Sequence, residues 1–99
     1  MASVTPPGLA YEVEHDPARH RFQARIQGEL ALLDYRIQRK RMVITHTEVP
    51  EAIAGRGIAA ELTKIALRYA RDNRYKVVPA CAYAEQFFER HAEYQDLLA

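Results

Sequence analysis

The chain has almost no cysteine, no long apolar run and almost no net charge, and each shortage excludes a class of protein. Cys81 is the only cysteine among the 99 residues, so no internal disulfide can form, and we expect a reducing, cytoplasmic setting. No run approaches the roughly 18 apolar residues that span a bilayer, and the first residues lack the basic and apolar regions of a signal peptide. The sequence therefore predicts a soluble protein.

The charges nearly cancel, since 14 basic and 13 acidic residues leave a net charge of +1. No overall field would draw such a chain to nucleic acid or to an anionic membrane, so neither is an expected partner. One local basic cluster consists of Arg36, Arg39, Lys40 and Arg41. We interpret it as a solvated hairpin end, with an anion-binding rim as the alternative.

The hydrophobic content of 48% and the charged content of 27% are those of an ordinary globular protein. A chain this short supports one hydrophobic core and therefore one domain. Residues 1–8 contain two prolines and a glycine without periodicity, so we predict a loose, flexible leader there. The single folded domain is expected to span residues 9–99.

Four segments before residue 50 have the pattern of strands. Apolar and polar residues alternate in residues 11–15, 22–27 and 33–38, and residues 42–49 are rich in β-branched side chains. Because short polar turns separate these segments, we predict an antiparallel meander of four strands.

The periodicity changes after Gly57. Apolar side chains then recur at the spacing of an amphipathic helix, which we expect to end at Asn73 as a left-handed cap. Residues 75–78 indicate a fifth strand stopped by Pro79, residues 84–90 a second helix, and residues 92–98 a last turn or short helix. A strand, a helix and a strand in succession require a crossover, so the fourth and fifth strands should be parallel. The prediction is an α/β fold with a mixed sheet, in the order β-β-β-β-α-β-α.

The most informative segment is the turn Ala54-Gly55-Arg56-Gly57-Ile58-Ala59, which joins the fourth strand to the strong helix. The first N–H groups of a helix have no internal partners and carry positive partial charge, and glycines allow a phosphate to approach the backbone. The turn could therefore hold a pyrophosphate, or it could be only a tight connection. It lacks the Lys-Ser/Thr pair of a P-loop, so nucleoside triphosphates are not expected.

This turn resembles the signature of the GCN5-related N-acetyltransferases, Arg/Gln-x-x-Gly-x-Gly/Ala. It matches at Gly57 and Ala59 and carries Ala54 at the first position. With further segments the chain is similar, over residues 10–98, to the small YjdJ-type or Gcn5-like branch of that superfamily. These segments are residues 45–50, 77–81, 89–91 and 94–98.

The resemblance implies an acetyl-CoA-binding protein that moves an acetyl group to an amine of unknown identity, with coenzyme A as co-substrate and no metal. Thr47, Glu48 and Val49 would line the pantetheine and acyl end of the coenzyme. The phosphates would be held by the backbone of Gly55, Arg56, Gly57, Ile58, Ala59 and Ala60, with charge added by Arg56.

Two departures from the family pattern carry consequences. Only residues 16–20 separate the first two strands, where most members insert two helices that form a wall of the acceptor site. The acceptor groove should therefore be open, or completed by a homodimer partner or another protein. In addition, Phe88 stands where the family often has the tyrosine that protonates the departing thiolate.

Four residues are candidates for the chemistry. His46 and Glu48 share a face of their strand, and either could take the proton from an amine. The alternatives are a histidine hydrogen-bonded in the sheet and a solvent-facing carboxylate. Cys81 and Tyr83 could replace the missing acid, and Cys81 could equally be a buried, inert thiol.

Two alternatives to an enzyme remain open. A non-catalytic module could sense acyl-CoA or bind a protein partner through the open groove. A small structural adaptor without coenzyme would require residues 55–59 to be merely a turn.

Overall fold

Six strands form one sheet in which each strand lies beside its neighbour in sequence. The computed structural model describes all 99 residues. The strands are β1 (Ala2–Ser3), β2 (Glu14–Asp16), β3 (Arg21–Ile26), β4 (Glu29–Gln38), β5 (Arg41–Glu48) and β6 (Lys76–Pro79). The helices are α1 (Ile58–Asp72) and α2 (Ala82–Arg90), and short 3₁₀ helices span Glu51–Ile53 and Ala92–Leu97.

The pairing confirms the mixed α/β sheet. The strands from β1 to β5 pair antiparallel, whereas β5 and β6 pair parallel, with Arg41 opposite Lys76 and Ile44 opposite Pro79. The parallel pair results from the crossover through α1, as the strand-helix-strand order predicts. No helix lies between β2 and β3, where the sequence offers only a short turn.

The expectation of a loose leader is wrong for the first residues of the chain. Ala2 pairs with His15 and Ser3 with Glu14, so β1 adds a strand that the sequence did not predict. Beyond β1, the Val4 N–H donates to the Val13 carbonyl at 2.9 Å. The prolines begin only at Pro6, so they do not interfere with these backbone hydrogen bonds.

Other boundaries also differ from the prediction, among them the starts of β4 at Glu29 and of α2 at Ala82. Residues 11–15 were predicted as a strand, but β2 begins only at Glu14. Pro79 was predicted to follow the fifth strand, whereas it is the last residue of β6. At the end of α1 the left-handed residue is Arg74, with φ 60°, whereas Asn73 has φ −100°. Asn73 still terminates the helix, because its side-chain amide donates to the Tyr69 carbonyl at 2.8 Å.

Both helices cover the same face of the sheet. The buried residues of α1 and α2 belong to one cluster with the inward side chains of the strands, including Phe22, Leu33 and Ile44. Leu32 and Val43, which point to the opposite face, are outside that cluster. The second face of the sheet therefore has no helix over it.

A buried aromatic group surrounds His15 at the inner face. The ring of His15 stacks on Phe22 with centroids 4.1 Å apart, and its Nε2 lies 2.6 Å from the Tyr35 hydroxyl. Burial lowers the pKa of His15, an effect that the neighbouring Asp16 partly opposes. Burial also raises the pKa of Tyr35 to about 12. The fold therefore favours the neutral imidazole.

This arrangement predicts a loss of stability in mild acid. Below pH about 6.5 the unfolded chain binds a proton at His15 that the folded chain does not yet bind, so the free energy of unfolding falls as the pH falls. Urea unfolding at pH 7.5 and 5.5 should show this decrease in the native protein and a smaller one in His15→Gln. His46→Gln, at an exposed histidine, should keep the native decrease. An unchanged decrease in His15→Gln would contradict the assignment.

Candidate functional site

The turn between β5 and α1 presents backbone donors without partners. The first hydrogen bond of α1 runs from the Glu61 N–H to the Gly57 carbonyl, and no side chain caps the helix. The N–H groups of Ile58, Ala59 and Ala60 consequently have no backbone acceptor. Three donors and the positive end of the helix dipole form an arrangement that suits an anion such as a pyrophosphate.

Two glycines give this turn its shape. Gly55 and Gly57 have φ values of 80° and 73°, in the left-handed region that other residues rarely adopt. A Cβ atom at either position would meet no heavy atom within 4 Å. The glycines therefore serve the backbone conformation and leave open space in front of the free N–H groups.

A residue distant in sequence binds the side chain of Arg56. Its guanidinium donates to the Gln27 side-chain oxygen at 3.2 Å. Gln27 and Gly28 form the turn of the β3–β4 hairpin, both with positive φ, which brings this turn to the same end of the sheet as Arg56. Gln27 is not among the site residues predicted from the sequence. In the sequence, Gln27-Gly28 before an alternating segment indicates the hairpin turn. Nothing in the sequence indicates the contact between Gln27 and Arg56.

A shallow groove of about 230 Å³ leads from the turn toward α2. Val49, Ala54 and the glycine turn line one side of it, and Tyr83 lines the other. The side chain of Ile58 is 2% exposed and belongs to the core, so this residue contributes mainly its N–H group. The groove thus connects the predicted phosphate-binding residues with a predicted catalytic residue.

Beyond Ile44, β5 and β6 no longer pair, which leaves a gap between the two strands. The last hydrogen bond between the two strands runs from the Ala80 N–H to the Ile44 carbonyl, at 2.9 Å. The register between β4 and β5 shifts at this point, since Asp34 pairs with His46 but the adjoining Tyr35 pairs with Ile44. Thr45 is therefore an extra, bulged residue, which bends β5 where it leaves β6. The rest of β5 has no strand partner on that side.

His46 and Glu48 lie on one face of β5, as the alternation predicts. The Nε2 atom of His46 is 3.0 Å from a carboxylate oxygen of Glu48, and both side chains are more than half exposed, at 55% and 59%. An ionised carboxylate only accepts hydrogen bonds, so Nε2 donates in this contact and, when the ring is neutral, Nδ1 keeps a free lone pair. The pair can accept a proton at Nδ1.

The face that carries His46 is the one without a helix. Asp34 lies directly opposite His46 in the sheet, and Arg21 lies opposite Asp34. The Arg21 guanidinium binds both carboxylate oxygens of Asp34, at 2.7 and 3.3 Å. Polar side chains therefore border His46 on an open surface, and they include an ion pair that was not predicted from the sequence.

Cys81 and Tyr83 lie across the gap from β5. The sulfur of Cys81 is 3.8 Å from the Thr47 hydroxyl, and Cys81 is the N-cap residue of α2. Burial raises the pKa of Tyr83, against a smaller lowering by Arg90, so Tyr83 holds its proton at neutral pH. Phe88, the residue at the family's tyrosine position, is 3% exposed and packs in the core. Any proton donated on this side must come from another residue.

The C-terminal segment packs against α2 through His91. His91 stacks on Phe87, with the ring centroids 3.9 Å apart, and its Nδ1 atom bonds to the Phe87 carbonyl. The structure groups no three His, Cys, Asp or Glu side chains that could hold a metal ion. Neither helix has the length and apolar character needed to cross a membrane.

The comparisons with known proteins identify the family. A family model described as GCN5-related N-acetyl-transferase matches residues 21–97. The chain belongs to this family. The match begins at the first residue of β3, so β1 and β2 lie outside it.

Relatives and a solved structure agree with this assignment. Protein NATD1 of Mus musculus is 38% identical over 99 residues, covering 92% of this chain and 90% of the mouse protein. Protein NATD1 of Homo sapiens is 38% identical over 87 residues, covering 85% of this chain and 77% of the human protein. The solution structure of a GCN5-like protein from Staphylococcus aureus aligns with a TM-score of 0.74 at 26% identity, over 89% of this chain and 87% of that one. The resemblance noted in the sequence is confirmed at the level of family and fold.

Proposed function

We propose that this GCN5-related protein binds acetyl-CoA and transfers its acetyl group to an amine, in the cytoplasm. The observation that carries the proposal is the set of three partnerless N–H groups on Ile58, Ala59 and Ala60, which open onto the groove toward Tyr83. A helix start with free donors is a binding site for phosphate groups. Bound acetyl-CoA would supply an activated thioester carbonyl to the gap between the strands.

Different groups of the chain would bind different parts of the coenzyme. The free N–H groups would hold the pyrophosphate, while Arg56, oriented by Gln27, would add a positive charge beside it. The free stretch of β5, with Thr47 and Val49, would bond to the pantetheine amides where β6 diverges. The acyl end would then lie between Cys81 and the His46–Glu48 pair.

Two proton transfers follow from this placement. As the amine nitrogen forms its bond to the acyl carbon, His46 would take the amine proton at Nδ1, with Glu48 stabilising the imidazolium. The carbon–sulfur bond breaks, and the departing sulfur would take a proton from the Cys81 thiol or the Tyr83 hydroxyl. The open face around His46 would admit the acceptor without a helical wall.

The second candidate is a protein that binds acyl-CoA without turning it over. The observation in its favour is Phe88, which occupies the tyrosine position and is buried in the core. Turnover of acetyl-CoA against a panel of small amines and lysine-containing peptides separates the two functions. Coenzyme binding with no turnover against any acceptor would favour the second candidate.

Removing the proton donor should slow turnover strongly. Positioned general acids contribute about 10²–10⁴ in rate, so either Cys81→Ala or Tyr83→Phe should lower kcat by that factor while leaving the affinity for CoA unchanged. Tyr75→Phe, which removes a hydroxyl outside the groove, is the matched control and should keep native kcat. Native kcat in both test variants would contradict the assignment of a side-chain acid.

A further inference from the structure

The largest cavity lies at the end of the sheet away from the glycine turn. Its volume is about 560 Å³, against about 230 Å³ for the groove at the turn. Gln38, Arg39, Lys40 and Arg41 of the β4–β5 hairpin line it together with Lys76, the first residue of β6. β5 runs from this cavity to the predicted acyl end, a distance of roughly 20 Å at 3.3 Å per residue. The cavity is therefore separate from the candidate coenzyme site.

The four cations of this cavity form no ion pair, although Lys76 lies close enough to the Asp96 carboxylate to help lower its pKa. None of the five ion pairs of the structure involves Arg39, Lys40, Arg41 or Lys76. The Lys76 ammonium donates to the main-chain carbonyl of Asp96 at 2.7 Å. The carboxylate of Asp96 is already bound by Arg71, at 2.6 and 3.3 Å. A chain with a net charge of +1 thus concentrates four unpaired positive charges in one place.

The backbone holds these charges in unfavourable positions. Arg41 and Lys76 are directly opposite each other in the parallel pair, and like charges placed so destabilise a sheet. Arg39 has φ 58°, a left-handed conformation that favours glycine or asparagine in a hairpin turn. An anion between the side chains would offset the repulsion. If this basic cluster were only a solvated hairpin end, neither the opposed charges of Arg41 and Lys76 nor the left-handed conformation of Arg39 would have a role.

We propose that this cavity binds a compact anion with two or three linked phosphate groups. Guanidinium groups bind phosphate oxygens in pairs, and the two lysines add point charges. The cavity has no hydrophobic lining residue, so it would recognise charge and not a nucleobase. The proposal does not depend on coenzyme binding or on acetyl transfer.

A compact ligand fits better than a nucleic acid strand. Proteins that bind single strands use aromatic side chains on which bases stack, along a groove of several nucleotides. No aromatic residue lines this cavity, and the ring of Tyr75 is covered by the Lys40 ammonium, which lies 5.6 Å from its centre. Four clustered cations suffice for a few phosphates and provide no extended track.

The test is a titration of the ¹⁵N-labelled full chain with tripolyphosphate, followed through backbone amide resonances. We expect saturable shifts at residues 38–41 and 76, and an affinity at least about a hundredfold lower in Arg41→Gln/Lys76→Gln, which loses two charge-assisted contacts. Lys64→Gln/Arg68→Gln removes the same charge from the outer face of α1 and should bind like the native protein. Because the first double variant relieves repulsion, it should be at least as stable as the native protein without ligand.

Each other outcome overturns the proposal. Shifts confined to residues 55–60 would mean that tripolyphosphate binds only at the glycine turn. Equal shifts with chloride at matched ionic strength would indicate screening and no site. Tighter binding of a single-stranded oligonucleotide than of tripolyphosphate, with shifts at residues 38–41, would identify a nucleic acid surface instead.

Discussion

Gly57→Val should reduce the affinity for coenzyme A by about a hundredfold or more and leave the protein folded. A β-branched residue cannot easily hold the φ of 73° that Gly57 adopts, so the turn would move the free N–H groups of α1 out of line. Loss of one or two hydrogen bonds to a charged phosphate, each worth about 1.5–3 kcal/mol, gives this factor. Calorimetric titration with CoA measures the affinity, and circular dichroism reports the fold.

Gly8→Val supplies a control with the same backbone strain. Gly8 has φ 85°, and a Cβ atom there would also meet nothing within 4 Å, but the residue lies before β2 and does not line the groove at the turn. Both variants should lose about 1–2 kcal/mol of stability from the left-handed conformation. Only Gly57→Val should lose coenzyme affinity. Equal affinity in the two variants would show that the turn does not hold the phosphates.

Phe22→Ala should destabilise the fold by about 3–5 kcal/mol, the cost of deleting a buried aromatic ring. Phe22 is fully buried on β3, stacks on His15 and lies 5.7 Å from the ring of Tyr69 on α1. Its loss would leave a cavity between the sheet and the helix. A domain of this size has only about 5–15 kcal/mol of total stability, so the variant would lie close to unfolding.

Urea unfolding followed by circular dichroism checks this value. Arg25→Ala changes an exposed residue of the same strand and should remain within about 0.5 kcal/mol of the native protein. A loss below about 1 kcal/mol in Phe22→Ala would contradict the view that the His15 cluster anchors α1 to the sheet.

The elements with strong periodicity were predictable from the sequence. The apolar spacing from Ile58 onward predicted α1, and the strand-helix-strand order then required β5 and β6 to be parallel. These inferences depend on local patterns, which the fold does not override.

Features that depend on distant contacts were not predictable. β1 has two residues and exists because the edge of β2 is available to it, so no periodicity marks it. The left-handed residue after α1 is Arg74 and not Asn73, because the Asn73 side chain bonds back to the helix. Propensity favoured asparagine, whereas the local hydrogen bond selected the next residue.

In the candidate site, too, the local features were predictable and those that depend on distant contacts were not. The glycine turn and the shared face of His46 and Glu48 follow from a single loop and a single strand, and the sequence contained both. The contact between Arg56 and Gln27 joins residues 29 positions apart. The bulge at Thr45 is a property of strand pairing. Neither has a signature in one stretch of sequence.

Calorimetric titration of the native protein with acetyl-CoA, and separately with CoA, tests the central claim most directly. The three free N–H groups and Arg56 would contact parts that both ligands share, so the account predicts micromolar binding of each, with similar affinity. Absence of binding by either ligand at millimolar concentration would contradict the coenzyme site and leave the chain with the family's fold but without its co-substrate.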